Sequence, residues 1–372
     1  MNVPDITIPP DLLPADGRFG SGPSKVPQAA VDALRDAAPT LLGTSHRRPA
    51  VKALVRRVRQ GLRAFFALPD GYEVVLGNGG ATLFWDVAAH NLIRRRSAHA
   101  VLGEFSGKFA QVTAQAPHLD DPVVVASDPG TYPDLRAIAG VDAYALTHCE
   151  TSTGVLMPLA RPDADALVLV DATSAAGGVA FDPRAVDAYY FSPQKGFASD
   201  GGLWLALLSP AALERSDEVR STGRPVPATL DLQIAIDNAR ADQTYNTPAV
   251  ATLFLMAEQI DVLNARGGLE SVARDCAATA GLLYGWAEQR SWAAPFVADP
   301  AQRSPVVCTI DLDEALPAEQ VTALLRAHGI LDTEAYRKLG RNQLRVATFP
   351  AVERADVAAL TACIDYVVEH LG

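Results

Sequence analysis

An excess of positive charge is missing from this chain, as is any basic tract. Its 32 Lys and Arg are outnumbered by 43 Asp and Glu, leaving a formal net charge of −11 over 372 residues, and the longest basic run is the RRR of Arg94 to Arg96. That balance argues against nucleic acid as a main partner, because such proteins carry a basic face. It leaves a small anionic substrate open, since one pocket can be positive on an acidic protein. Cysteine is scarce and dispersed. Cys149, Cys276, Cys308 and Cys363 form no CxxC or CxxH pair, which speaks against a metal cluster or redox motif and for a reducing, cytoplasmic setting. Long apolar runs are also lacking: "AVATLFLMA" from Ala249 falls far short of the roughly 20 residues of a membrane span. The first residues, "MNVPDITIPPDLLPADG", carry acids and prolines where a secretory leader carries a basic patch and an apolar run. No internal repeat or low-complexity segment is present.

What is present is the composition of a folded globular protein with room for two domains: 49% of residues are hydrophobic, enough for a sizeable core. Residues 1–25 are rich in Pro and Gly and read as extended chain. From Val51 to Phe66 the apolar residues Val51, Leu54, Val55, Val58, Leu62, Phe65 and Phe66 share one helical face, with Lys52, Arg56, Arg57, Arg59 and Arg63 on the others. Short apolar strands then alternate with helical stretches: "YEVVLG", "AHAVLG", "PVVVAS", "VDAYALTH", "ALVLVD" and "DAYYFS". Continuous apolar strands of this kind predict an α/β sheet covered on both faces. "GGLWLALL" returns too soon for a helical crossover and is expected to run antiparallel. After "NARGG" the pattern changes to a long helix over roughly residues 269–290, a strand "PVVCTIDL", a helix "PAEQVTALLRAHG", a strand "NQLRVATF" and a closing helix from Glu353. This predicts a second, smaller α+β unit with a boundary near Gly267.

In open α/β sheets ligands sit at the carboxyl ends of the strands, and three features fall there. Asp171 ends "ALVLVD", Lys195 follows "DAYYFS", and the turn "GNGGAT" (Gly77 to Thr82) leads from a strand into a helix. Each has an ordinary reading: a turn-forming or capping Asp, a solvated loop Lys, and glycines of any tight turn. Together they suit pyridoxal phosphate. The amine bonds the aldehyde, the carboxylate keeps the ring nitrogen protonated, and the helix N-terminus takes the phosphate. Trp85 and Trp204 read as core residues.

The chain resembles the phosphoserine aminotransferases of the class V aminotransferases, most nearly their actinobacterial form. The likeness is carried in order by "GRFGSGPSK", "GTSHR", "YEVVLGNGGAT", "ETSTGV", "DATS", "SPQKG", "QTYNTPA" and "YRKLGRNQLRVATFPA". It implies the fold-type I architecture of pyridoxal-phosphate enzymes: a large domain at residues 19–267 with a mostly parallel seven-stranded sheet, and a small domain from residues 1–18 and 268–372. It makes Lys195 the Schiff-base lysine, Asp171 the partner of the pyridinium nitrogen, and Phe105 of "GEFSGKF" the ring stacked on the cofactor, where many relatives have Trp. Thr151 is implied near the 3-oxygen of the pyridine, with Gly80, Ala81, Thr82 and Gln194 at the cofactor phosphate. Asn246 and Thr247 are implied to reach the phosphate of the neighbouring subunit, which makes the expected partner a second copy of the chain, a homodimer with shared sites.

The same resemblance assigns substrate contacts. His46, Arg47 and Arg337 are implied at the substrate phosphate, Arg345 at the α-carboxylate, and Ser21 at the amino-acid substrate; a planar guanidinium suits bidentate binding of either anion. Without it, His46 to Arg48 reads first as a solvated cluster at a helix entrance, and Asn246 to Pro248 can be a helix cap alone or a cap that also binds. The chain departs from many relatives at Tyr336, which stands where they have histidine, and Arg341 is an additional basic residue. The implied reaction moves an amino group between L-glutamate and 3-phosphohydroxypyruvate. The alternatives on this fold are a serine–glyoxylate or alanine–glyoxylate aminotransferase, or a non-catalytic cofactor-binding protein. A cysteine desulfurase is disfavoured, because no cysteine lies in a mobile-loop setting.

Overall fold

The computed structural model describes residues 6–371. Two helices, α1 (Gln28–Leu41) and α2 (Pro49–Phe65), precede the first strand, β1 (Glu73–Asn78). The apolar stripe expected of α2 is buried from Val51 through Phe65. Its basic residues point outward into ion pairs, Arg57 with Asp261 and both Arg56 and Arg59 with Asp242. Next come α3 (Ala81–Asn91), β2 (Ser97–Val101), α4 (Glu104–Gln115), β3 (Val123–Ala126) and β4 (Ala143–Thr147). A small hairpin of β5 (Cys149–Glu150) and β6 (Val155–Leu156) leads to β7 (Leu167–Asp171), β8 (Ala188–Phe191) and β9 (Leu203–Leu208). Helices α5 (Pro210–Ser221), α6 (Leu232–Arg240) and α7 (Val250–Ala265) close this part of the chain.

The seven long strands form one sheet in the order β1-β9-β8-β7-β4-β2-β3. Strand β9 pairs antiparallel with both neighbours, and the remaining pairs are parallel. The reversed "GGLWLALL" segment follows from its short return. Both faces are covered, and the two-residue period of a strand divides its side chains between them. Val168, Val170, Tyr189, Phe191, Leu203, Leu205 and Leu207 join a core with α2, α7 and the helix that follows. Leu167, Leu169, Tyr190, Trp204, Ala206 and Leu208 join the opposite core with α3, α4, α5 and α6. Each fully buried aliphatic side chain contributes about 1.5–3 kcal/mol relative to exposure.

The rest of the chain builds a separate core beyond the two that cover the sheet. Helix α8 (Gly268–Glu288) is followed by β10 (Ala293–Pro295), β11 (Val307–Leu312), α9 (Ala318–Ala327), β12 (Gln343–Ala347) and α10 (Arg354–Leu371). The strands form an antiparallel sheet, β10-β11-β12. The short edge strand β10 is an addition to the pattern legible in the sequence. Ile8 and Phe19 from the start of the chain pack into this core. The backbone holds them there, with Leu331 donating to the Gly17 carbonyl and Phe19 to that of Leu331. Among the described residues no helix is long and apolar enough to cross a membrane, and no cluster of metal-ligating side chains occurs.

Two glycines separate close packing from backbone freedom. A Cβ on Gly17 would lie 2.1 Å from the Gly329 carbonyl oxygen, whereas one on the exposed helical Gly281 meets nothing within 4 Å. Gly17→Ala should therefore lose about 1–3 kcal/mol through forced displacement. Gly281→Ala should gain up to about 1 kcal/mol of helix propensity. Denaturant midpoints of the two variants check both signs.

Candidate active site

The carboxyl ends of the parallel strands open on a cavity of about 270 Å³. Register aligns Thr147, Asp171 and Tyr190 on neighbouring strands, so the last residues of β4 and β7 reach the same edge. Lys195 enters from the turn after β8, and that turn is docked by backbone packing. A Cβ on Gly196 would lie 2.0 Å from the carbonyl oxygen of Ala176, in the turn after β7, and Gly177 lies against Gly196 from the same side. A glycine at 196 is thus what lets the two loops touch. Gly22 closes the other side: at φ +149°, its Cβ position is 2.7 Å from Lys195 Cε.

Lys195 is buried, and Nζ donates to Thr151 Oγ1 and Ser174 Oγ, both at 2.9 Å. Burial pulls its pKa down to about 8, against the opposing field of Asp171. Asp171 accepts from three donors: Thr173 N and Oγ1 on Oδ1, at 2.9 and 2.6 Å, and Trp85 Nε1 on Oδ2, at 2.9 Å. Phe105, the second residue of α4, has its ring centroid 5.6 Å from Lys195 Nζ. Its position is set by Glu150, a fully buried carboxylate that accepts from the Phe105 and Ser106 backbone and from the Ser106 and Ser152 hydroxyls. Cys149 also lines the cavity, but burial pushes its thiol up to about 12 and it donates to Ser304, so it is no nucleophile here.

Gly80, Ala81, Thr82, Phe105, Thr151, Asp171, Gln194 and Lys195 all line this cavity. Arg345 reaches its edge. It donates from Nη1 to the Thr151 carbonyl and lies 5.4 Å from the ring of Tyr336, which in turn packs 5.9 Å from Phe105. Ser21 is buried beside Gly22. Arg337 lines a separate groove with Glu319, Glu334 and Gln343. Arg341, the additional basic residue, forks onto Asp311 and covers Phe296.

His46, Arg47, Asn246 and Thr247 do not line the Lys195 cavity; they form a second cluster. His46 Nδ1 and Thr247 Oγ1 lie 3.0 Å apart, and Arg47 donates to Gln243. Asn78, at the end of β1, ties the cluster to the sheet through the Thr247 carbonyl. Three residues of the site escaped sequence reasoning. Trp85 looked like core. Ser174 and Glu150 stood inside recognised motifs, "DATS" and "ETSTGV", where their own position was the available signal.

The donor set fits pyridoxal phosphate. Helix α3 begins at Ala81 after Gly80 with no side-chain cap, leaving N–H groups for an anion. Gln194 Oε1, Ser21 Oγ and Arg345 Nε are buried without a protein partner, so polar capacity around the cavity is left for ligands. A base, an acceptor for a protonated ring nitrogen, an aromatic face and an anion cradle surround one volume.

Comparison with known proteins agrees with this chemistry. The family model "Aminotransferase class-V" matches residues 18–333. The chain is 59% identical to a phosphoserine aminotransferase of a Nocardioides species over 370 residues, covering 98% of this chain and 99% of the relative. Its fold is similar to the crystal structure of a phosphoserine aminotransferase from Cytophaga hutchinsonii, with TM-score 0.86, 24% identity, and coverage of 96% of this chain and 100% of that one. A PLP-bound phosphoserine aminotransferase from Trichomonas vaginalis is similar at TM-score 0.79 and 17% identity, over 94% of this chain and 99% of that one.

The depressed pKa of Lys195 has a direct signature. With the charged form disfavoured by burial, the amine is mostly neutral above about pH 8. Trace acetylation of the cofactor-free protein, read by peptide mass, should climb about tenfold per pH unit below that value and level off above it. A rate still climbing at pH 10, as for a solvated lysine, would contradict the assignment.

Proposed function

The chain belongs to the class-V aminotransferases, and from that premise we propose that it transfers the amino group of L-glutamate to 3-phosphohydroxypyruvate, giving O-phospho-L-serine and 2-oxoglutarate in L-serine biosynthesis. The observation that carries the reading is the buried ε-amine of Lys195, held by two hydroxyls in a cavity that Asp171 also lines. Pyridoxal phosphate supplies an aldehyde that takes up and releases the amino group and a ring that withdraws electrons from the reacting carbon.

The residues have separable tasks. Lys195 Nζ takes the proton from the substrate α-carbon and returns it on the other side of the transfer; a pKa of about 8 suits a base working near neutral pH. Thr151 and Ser174 hold that amine in place. Asp171, committed as an acceptor by its three donors, keeps a proton on the ring nitrogen. Phe105 offers a π face to the ring. The start of α3 at Ala81 and Thr82, with Gln194, holds the cofactor phosphate. Arg345 receives the α-carboxylate common to both substrates, and Tyr336 braces its guanidinium. Ser21 contacts the amino-acid substrate. His46, Arg47 and Arg337 bind the substrate phosphate.

The active unit in this reading is a C2 homodimer with composite sites, in which Asn246 and Thr247 complete the partner's phosphate cradle. Its support is the separation of the His46, Arg47, Asn246 and Thr247 cluster from the Lys195 cavity of the same chain. The division into residues 19–267 and residues 1–18 with 268–372 belongs to the same proposal, as does a cytoplasmic setting. The four free, buried cysteines accord with the latter.

Substrate choice tests the activity. In a coupled assay with glutamate, phosphohydroxypyruvate should outperform hydroxypyruvate and glyoxylate; equal use of either would turn the assignment to a glyoxylate-type aminotransferase. Losing one charge-assisted hydrogen bond, roughly 1.5–3 kcal/mol, lowers kcat/KM by about 10- to 150-fold. Arg47→Ala should show that loss with phosphohydroxypyruvate and far less in the glutamate half-reaction, whereas Arg345→Ala should damage both. Assembly is tested by mixing an inactive Lys195→Ala protein with an inactive Thr247→Ala protein under subunit exchange. The mixed dimer should regain one intact site; exchange without recovered turnover would refute shared sites.

A further inference from the structure

We propose that Trp85 is a positioning residue for Asp171, its indole N–H fixing the carboxylate as an ionised acceptor for the cofactor's ring nitrogen. Trp85 is 4% exposed and Asp171 5% exposed, and Nε1 lies 2.9 Å from Oδ2. An indole N–H can only donate, and so can the backbone N–H of Thr173 that meets Oδ1 at 2.9 Å. Both oxygens therefore act as acceptors; a proton on Oδ1 would displace a buried hydrogen bond, and one on Oδ2 would occupy the single lone pair left. A carboxylate offers about four lone-pair sites; the Thr173 hydroxyl takes a third, at 2.6 Å. One remains for the cavity that Asp171, Thr173 and Trp85 all line.

The indole also links parts of the site that are distant in sequence. Trp85 lies three residues after Thr82 on α3, on the same helical side, so one helix addresses the phosphate with its N-terminus and Asp171 with its first full turn. The ring stacks on Phe109 of α4 at 6.0 Å and 16°, the helix whose first turn carries Phe105. Displacing Trp85 would thus disturb three subsites, but only the N–H acts on the charge of Asp171.

The inference rests on pyridoxal phosphate as cofactor, and its test separates the two. The titratable groups facing Asp171 are Lys195, Tyr189 and Tyr190. Burial raises both phenols well above their ordinary value and pulls the Lys195 amine down to about 8. Equilibrium binding of pyridoxal phosphate to cofactor-free protein is measured for wild type, Trp85→Phe, Asp171→Asn and the double variant. Trp85→Phe should weaken binding about 10-fold, the effect of one hydrogen bond to a charged group. In the Asp171→Asn background the same replacement should cost far less. Equal losses in both backgrounds would reduce Trp85 to a packing role and overturn the proposal, as would no loss at all. A second measurement needs neither the cofactor nor a Trp85 variant. The indole ¹⁵N–¹H resonance of Trp85, assigned by replacing Trp204, Trp286 and Trp292 singly, should shift on Asp171→Asn while the other three stay in place. An unmoved resonance would overturn the proposal even if the cofactor assignment stands.

Discussion

The site depends on one backbone contact. The turn after β8 lies so close to the turn after β7 that a single added carbon at Gly196 would meet the Ala176 carbonyl at 2.0 Å. No side-chain interaction could set the spacing between those loops as tightly, because side chains have rotamers to choose from and packed backbones do not. The consequence is that Lys195, one residue before the contact, and Asp171, five residues before it on the other strand, approach the same cavity from adjacent strand ends. The charge pattern follows. A buried amine is costly on its own, and its cost is lowered by the neighbouring carboxylate and by two hydroxyls that are themselves anchored in turns.

Around that contact the polar groups form a closed set on the protein side and an open one on the cavity side. Asp171 is held by Trp85 and Thr173, Glu150 by the start of α4 and Ser152, and Lys195 by Thr151 and Ser174. Among the buried atoms left without a partner, Gln194 Oε1 belongs to a residue that lines the cavity, Ser21 Oγ to the neighbour of the lining Gly22, and Arg345 Nε to a residue bonded to the lining Thr151. Preorganisation of this kind means that the reacting groups do not have to be reoriented when charge develops. It also explains why aromatic rings recur here: Phe105, Tyr336 and Trp85 exclude water while each offers a face or an N–H to a charged group.

Much of this was legible in the sequence, for physical reasons. Strands buried on both faces read as apolar runs, and a charged residue at the end of such a run, as at Asp171, stands out against it. The quick return of "GGLWLALL" fixed its direction, and the stripe of α2 fixed its buried face. The second core was legible from its change of period, except for the three-residue β10. Trp85 was not legible, because an indole on an apolar helix face satisfies the core by its ring and only three-dimensional proximity shows what its N–H meets. His46 and Thr247 are separated by 201 positions, and nothing in either segment's own pattern indicates that they touch. The same holds for Tyr336, whose place between Phe105 and Arg345 depends on the two cores meeting.

In the proposed reading, the Gly196 contact presents Lys195 as the point of covalent attachment for pyridoxal phosphate. Borohydride reduction of the cofactor-loaded protein, followed by peptide mapping, tests it most directly when wild type and Gly196→Ala are compared. A label on Lys195 in the wild type and a small fraction of that label in the variant are expected. A label on Lys25 or Lys108, or full labelling of Lys195 in Gly196→Ala, would contradict it.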